Sequence, residues 1–200
     1  MKKKLLNVVA ILLMVAMLVS LTACGDDSSK KSEKEESASS PKAVIEEFLG
    51  YVEDGKFSKA SKLVDWTFTY KVYDDSYYSY DEYDYSEIEE MSKKEIKEYE
   101  EDNDYSIEYA QEAFEDYESE VKDMYSFKLN ADVEKGEKVK GTKNIYKVEA
   151  ELEMVWQEKK KDDEETSSKD VEFYLIKDGD EYKIIDGVYQ TRYLLSDLYW

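Results

Sequence analysis

Apolar residues change rhythm several times along this chain, and each rhythm predicts a different kind of structure. From Leu5 to Ala23 they run on almost unbroken, interrupted only by Asn7, Ser20 and Thr22. From Gly25 to Ser40 the pattern vanishes: six serines and eight charged residues leave nothing more apolar than Ala38 to bury, which predicts a flexible tether. A tether of about 16 residues has a mean reach of about 20 to 24 Å. At Ser40-Pro41 a good N-cap is followed by a good first helical residue, and Val44, Ile45, Phe48, Leu49 and Val52 then fall on one helical face. Asp54-Gly55 stops that helix, and Phe57, Ala60, Leu63 and Val64 mark a shorter one. Further on, Ser86-Glu87-Ile88-Glu89 has the spacing of a capping box ahead of a modest face of Ile88, Met91, Ile96 and Tyr99. A second acidic helix follows, because Ile107, Ala110, Phe114, Tyr117, Val121 and Met124 recur at intervals of three and four. Its repeat is too brief for a coiled coil, so it is expected to pack on the chain's own sheet.

From Tyr125 the period drops to two. Phe127, Leu129, Ala131 and Val133 alternate with polar neighbours, as do Tyr146, Val148, Ala150, Leu152, Met154 and Trp156. Such alternation predicts antiparallel strands with one face buried and one face wet. Val171 to Ile176 and Tyr182 to Ile185 supply two more strands, joined through the turn signal Asp178-Gly179. The charged stretch from Glu158 to Asp170 is expected to be a mobile hairpin loop, and the tail from Val188 to Trp200 to dock as either helix or strand. Helices followed by strands give an α+β class, with N-terminal helices packed on one face of a curved antiparallel sheet of about four strands.

The apolar run carries an address. Lys2, Lys3 and Lys4 precede it and Leu21-Thr22-Ala23-Cys24 ends it, which is the charged, apolar and small-residue order of a secretory signal. These residues resemble the lipobox of bacterial lipoproteins. That resemblance implies cleavage before Cys24, a diacylglyceryl group on its thiol with fatty-acyl chains such as palmitate, and an extracytoplasmic, membrane-anchored mature chain. Two acyl chains anchor stably where one does not. The run is also long enough to stay as a membrane-spanning helix of about 18 to 20 residues, and either reading leaves the lysines inside and the rest outside. The organisation expected is a signal peptide over 1–23, lipidated cysteine and linker over 24–40, and one α+β domain over 41–200.

Charge narrows the partners. The chain holds 28 basic and 49 acidic residues. Since three of the basic ones lie in the signal, the part from Cys24 onward has 25 against 49, a net charge near −24. A surface so acidic repels polyanions, which excludes nucleic acid as a partner. Cys24 is the only cysteine, so no disulfide can form. There is no histidine, hence no Ser-His or Cys-His pair, and the seven glycines form no phosphate-cradling loop. Neither Asp74 to Asp84 nor Asp178-Gly179-Asp180 has the layout of a calcium loop. No metal site and no cofactor is expected.

Pro41, Val44, Phe48, Leu49 and the run Gly55-Lys56-Phe57-Ser58-Lys59-Ala60, together with the strands at the other end, resemble the cone-shaped nuclear-transport-factor-2-like or cystatin-like class. That resemblance implies a pocket in the cone, here with Tyr146, Trp156 and Phe173 as candidate lining. Some members of the class are isomerases or dehydratases, and one such site sets an aspartate base in an apolar pocket. The inward faces of Phe127 to Val133 and Tyr146 to Trp156 hold no carboxylate, so a catalytic role would need an acid from the helices or the last two strands. No catalytic residue is assigned, and a non-catalytic ligand- or protein-binding module is expected ahead of an enzyme.

The region from about 70 to 105 departs from the cone pattern and is expected to be an acidic, tyrosine-rich insertion. Between Tyr73 and Tyr85, six of thirteen residues are tyrosine and the rest are Asp, Ser or Glu. Tyrosine offers a rigid contact surface with a polar tip. Tyr73, Tyr77, Tyr78, Tyr80, Tyr83 and Tyr85 are therefore the candidate partner-binding residues, for an unknown ligand or a basic envelope protein.

Overall fold

A computed structural model describes residues 40–77, 83–118, 125–158 and 164–191. Helix α1 (Pro41–Glu53) starts as its sequence predicts: Ser40 Oγ accepts from the Ala43 N–H at 3.2 Å, with Pro41 in the first turn. Gly55, with φ +66°, turns the chain out of it. Helix α2 (Phe57–Ala60) runs into a single 3-10 turn over Ser61–Leu63. Val64 then bridges to Ile184 in parallel.

Helix α3 (Trp66–Tyr77) was not foreseen in the alternation of the sequence. Its aromatic and β-branched residues favour strands by propensity, but Asp65 caps it, accepting from the Phe68 N–H at 3.1 Å, and Trp66, Phe68 and Val72 are buried. Tertiary burial outweighs the local preference. Helix α4 (Ser86–Glu90) is short, and Ser86 does not cap it. The reciprocal capping box stands six residues later, where Ser92 and Glu95 open the long helix α5 (Lys93–Glu115). Of the stripe expected there, Ala110, Phe114 and Tyr117 are buried and Ile107 partly so, while Val121 and Met124 lie outside the described residues.

The sheet is antiparallel and open, ordered β1 (Tyr125–Val133), β3 (Ile145–Glu158), β4 (Glu165–Asp178), β5 (Glu181–Asp186), with the two-residue β2 (Glu137–Lys138) also paired to β3. This is the α+β arrangement expected, with helices preceding strands. On β3 the alternation holds: Val148, Ala150, Leu152 and Met154 are buried and Glu149, Glu151 and Glu153 exposed. Strand β4 begins earlier than the sequence indicates. The β3 register continues through Met154↔Ser167 to Trp156↔Glu165, so within the stretch Glu158 to Asp170 expected as a loop, Glu158 and Glu165 to Asp170 are strand, and 159–163 lie outside the described residues.

Between helices and sheet the core is filled by rings. Phe48 stacks on Phe114 at 5.9 Å and meets Phe173 edge-on at 6.0 Å, and Phe57 meets Phe114 edge-on at 5.4 Å. The opposite face is not wholly wet. At its β4–β5 end a second cluster gathers Phe68, Val72, Tyr85, Ile88, Ile145, Tyr174 and Ile185. Adjacent residues of β5 face opposite ways, so Ile184 joins the first core and Ile185 the second, and a bulge between Tyr174 and Leu175 pairs Leu175 with Ile184 and Tyr174 with Asp186. The stretch 70–105, expected as an insertion, supplies Val72, Tyr85 and Ile88 to this second core.

Candidate functional site

Beyond the second cluster, the solvent face of the sheet carries aligned acids. Asp132 pairs with Glu151 and Glu151 with Asp170, while Glu149 pairs with Glu172. The Glu134 N–H donates to the Glu149 carbonyl at 2.8 Å, which sets Glu134 at the end of that next row. All six side chains are exposed, and they line a shallow cleft of about 340 Å³. Like charges directly opposite one another destabilise a sheet by about 0.2 to 1 kcal/mol per pair, so packing of the opposite face must offset these rows. Lys147 bridges Glu149 and Glu172 at one end, and those two carboxylates hold its ammonium above the ordinary lysine range, Glu149 first. Among the described residues no three metal-ligating side chains are close enough to share an ion. The face is thus a spread negative surface and not a point site.

Where the acid rows meet the second cluster lies a polar junction. The Tyr85 hydroxyl donates to Asp186 Oδ2 at 2.6 Å, and its ring stacks on Tyr174 at 3.9 Å. The Gly187 N–H donates to Asp186 Oδ1 at 2.6 Å, and the Tyr174 hydroxyl donates to Glu172 at 3.2 Å. Burial raises the Asp186 carboxyl above the usual range, against the lowering effect of the Tyr85 bond. Burial likewise raises the Tyr85 phenol, and the Asp186 charge adds to it. Asp65 is also raised by burial, but its carboxylate serves α3 as a cap. The last strand and the segment before α3 do therefore bring in half-buried acids. Asp186 already accepts on both oxygens, from the Tyr85 hydroxyl and the Gly187 N–H, and Asp65 accepts on Oδ1 from the Phe68 N–H.

Of the tyrosines expected to meet a partner, the three with described side chains are turned to the fold. Tyr85 is 7% exposed, Tyr83 is half-buried with its hydroxyl donating to Asp75 at 3.2 Å, and Tyr73 is half-buried and stacked on Tyr189 at 4.5 Å. Tyr77 ends α3, with its side chain outside the described residues, as are Tyr78, Tyr80 and Cys24. The three pocket candidates do not converge on a cavity. Phe173 is fully buried against Phe48, Trp156 lies half-buried on the core, and Tyr146 meets Tyr182 edge-on at 5.4 Å. The acid rows could be glimpsed in the alternating Glu149, Glu151 and Glu153, but their alignment depends on register. Asp186 gave no sequence signal. No protein-family model, curated protein or solved structure matches the chain.

Proposed function

We propose that this chain is an extracytoplasmic lipoprotein, anchored in the cell membrane through Cys24, whose folded unit is a non-catalytic module that binds a basic partner. The anchor rests on the lipobox and the lysines before it. The observation that carries the binding role is the solvent face of the sheet, where six acids stand in cross-strand rows at a cost in stability that a basic partner would relieve. The enzyme reading has less support, because the core between helices and sheet is filled with rings and Asp186 has donors on both oxygens.

Replacing Cys24 by Ala should leave an unprocessed, unlipidated precursor by intact-mass measurement. A mature chain of unchanged mass would defeat the anchor. For the binding face, association with an oligolysine should weaken about ten-fold in the triple variant Glu149→Gln, Glu151→Gln, Asp170→Asn. A control variant with the same charge change on exposed helix positions, Asp102→Asn, Asp104→Asn, Glu108→Gln, should bind nearly as the parent does. Equal losses in both would reduce the effect to net charge and remove the sheet face as a site.

A further inference from the structure

Strand β1 ends the sheet, and α1 runs beside it. The Glu134 N–H points to Glu149 on β3, so by the alternation of an antiparallel ladder the N–H and C=O groups of Leu129, Ala131 and Val133 point away from the sheet. Lys42 Nζ donates to the Val133 carbonyl, which agrees with that direction and closes one end of the edge. Among the described residues nothing takes up the outward groups of Leu129 and Ala131. Between this edge and α1 lies a cleft of about 410 Å³, lined by Glu46, Leu49, Gly50, Glu53, Leu129 and Ala131 among others. Ala131 is exposed although Leu129 and Val133, on the same face of β1, are 5% exposed. Opposite stands Gly50, where an added Cβ would meet nothing within 4 Å. Glycine is the poorest helix former after proline, and here no close contact calls for it. Its effect is to leave room for a side chain from outside.

We propose that this edge and cleft form a docking site for an extended segment of a basic partner, which adds to β1 as a further strand. The proposal rests on the basic-partner reading above and states how that partner is held. Alternate residues of the segment would be small and apolar, seated between Gly50 and Ala131. The others would be Lys or Arg on the solvent face, where they lie beside Asp132 and extend the row Asp132–Glu151–Asp170 by one place. Of the charged residues lining the cleft, Glu53 adds to the same preference, Glu46 is paired with Lys42, and Lys128 disfavours a basic residue beside it. Main-chain hydrogen bonds supply affinity in this mode and the alternate pockets supply selectivity. A second copy of this chain fits less well, because it would bring an equal excess of acid to the same edge.

The test uses the full chain in detergent and two peptides of about nine residues, a usual strand length. One alternates lysine with valine, and the other has the same composition with its lysines in one block. Fluorescence anisotropy should give the alternating peptide an affinity about ten-fold higher. Gly50→Leu, which fills the cleft, should cost the alternating peptide about ten-fold without lowering the melting temperature. Ala131→Pro, which removes an outward N–H at an edge where proline is tolerated, should cost a similar factor. Equal affinity for the two peptides, or unchanged affinity in Gly50→Leu, would overturn the docking site. Were both peptides still lost on neutralising Glu149, Glu151 and Asp170, the basic-partner reading would survive that failure. A dimer in sedimentation that Gly50→Leu dissociates would overturn the choice of occupant.

Discussion

At the scale of single residues, two glycines make opposite predictions. Gly187 has φ +95°, and a Cβ there would stand 2.5 Å from Phe173 Cδ1 and 2.9 Å from the Glu172 carbonyl. Gly187→Ala should cost about 2 to 4 kcal/mol in urea denaturation, from a left-handed backbone together with overpacking. Gly50→Ala should instead gain about 0.5 to 1 kcal/mol, as expected of an open helical position. Asp186 yields a prediction in pH. Its folded carboxyl is raised above 3.8 by burial, so the folded state holds that proton more tightly than the unfolded chain does. The stabilising contribution is present below pH 3.8 and is lost as pH rises through the folded value. Stability of Asp186→Asn relative to the parent should therefore increase from pH 3.8 toward neutrality, and a difference that stayed flat or ran the other way would contradict the assignment. Tyr85→Phe removes one of the donors to the same carboxylate and should cost about 1 to 3 kcal/mol at neutral pH.

At the scale of elements, the long helix α5 divides into two parts. Phe114 sits at the centre of the ring core, so Phe114→Ala should cost about 3 to 5 kcal/mol. Tyr105 is 79% exposed, and Tyr105→Ala should stay within about 0.5 kcal/mol. Comparable denaturation midpoints for the two would mean the helix packs by another face. What could be read from the sequence here was whatever repeats locally. The face of α1, the stripe through Ala110 and Phe114 and the alternation on β3 are periodic and strongly apolar, and each forms as expected. Three features were hidden because they depend on partners distant in the chain. Helix α3 is held by burial and a cap against its own propensities. Strand β4 starts at Glu165 because β3 continues opposite it. The tyrosines from Tyr73 to Tyr85 read as a surface because no aliphatic residue lies among them, yet the cluster that takes in Tyr83 and Tyr85 draws Ile145, Tyr174 and Ile185 from the sheet. The candidate site was legible in composition, as acid alternating along strands. Its rows became visible only with the register.

At the scale of the whole molecule, charge governs behaviour. With a net charge of −21 over the chain, self-repulsion works against the folded state. The melting temperature should rise between about 0.01 and 0.15 M salt, as the screening length falls from about 30 to about 8 Å. A calorimetric scan that showed no rise would place the acids too far apart to interact. The same repulsion has a colloidal consequence for the open edge of β1. An unpaired edge is a template for any chain that can extend it, and in neutral solution the like charge of other copies keeps them from it. Near the isoelectric point of about 4.4 that barrier disappears while the outward N–H and C=O groups of Leu129 and Ala131 remain. Turbidity and thioflavin binding should therefore peak close to that pH. Ala131→Lys, which sets a charge on the edge itself, should delay both.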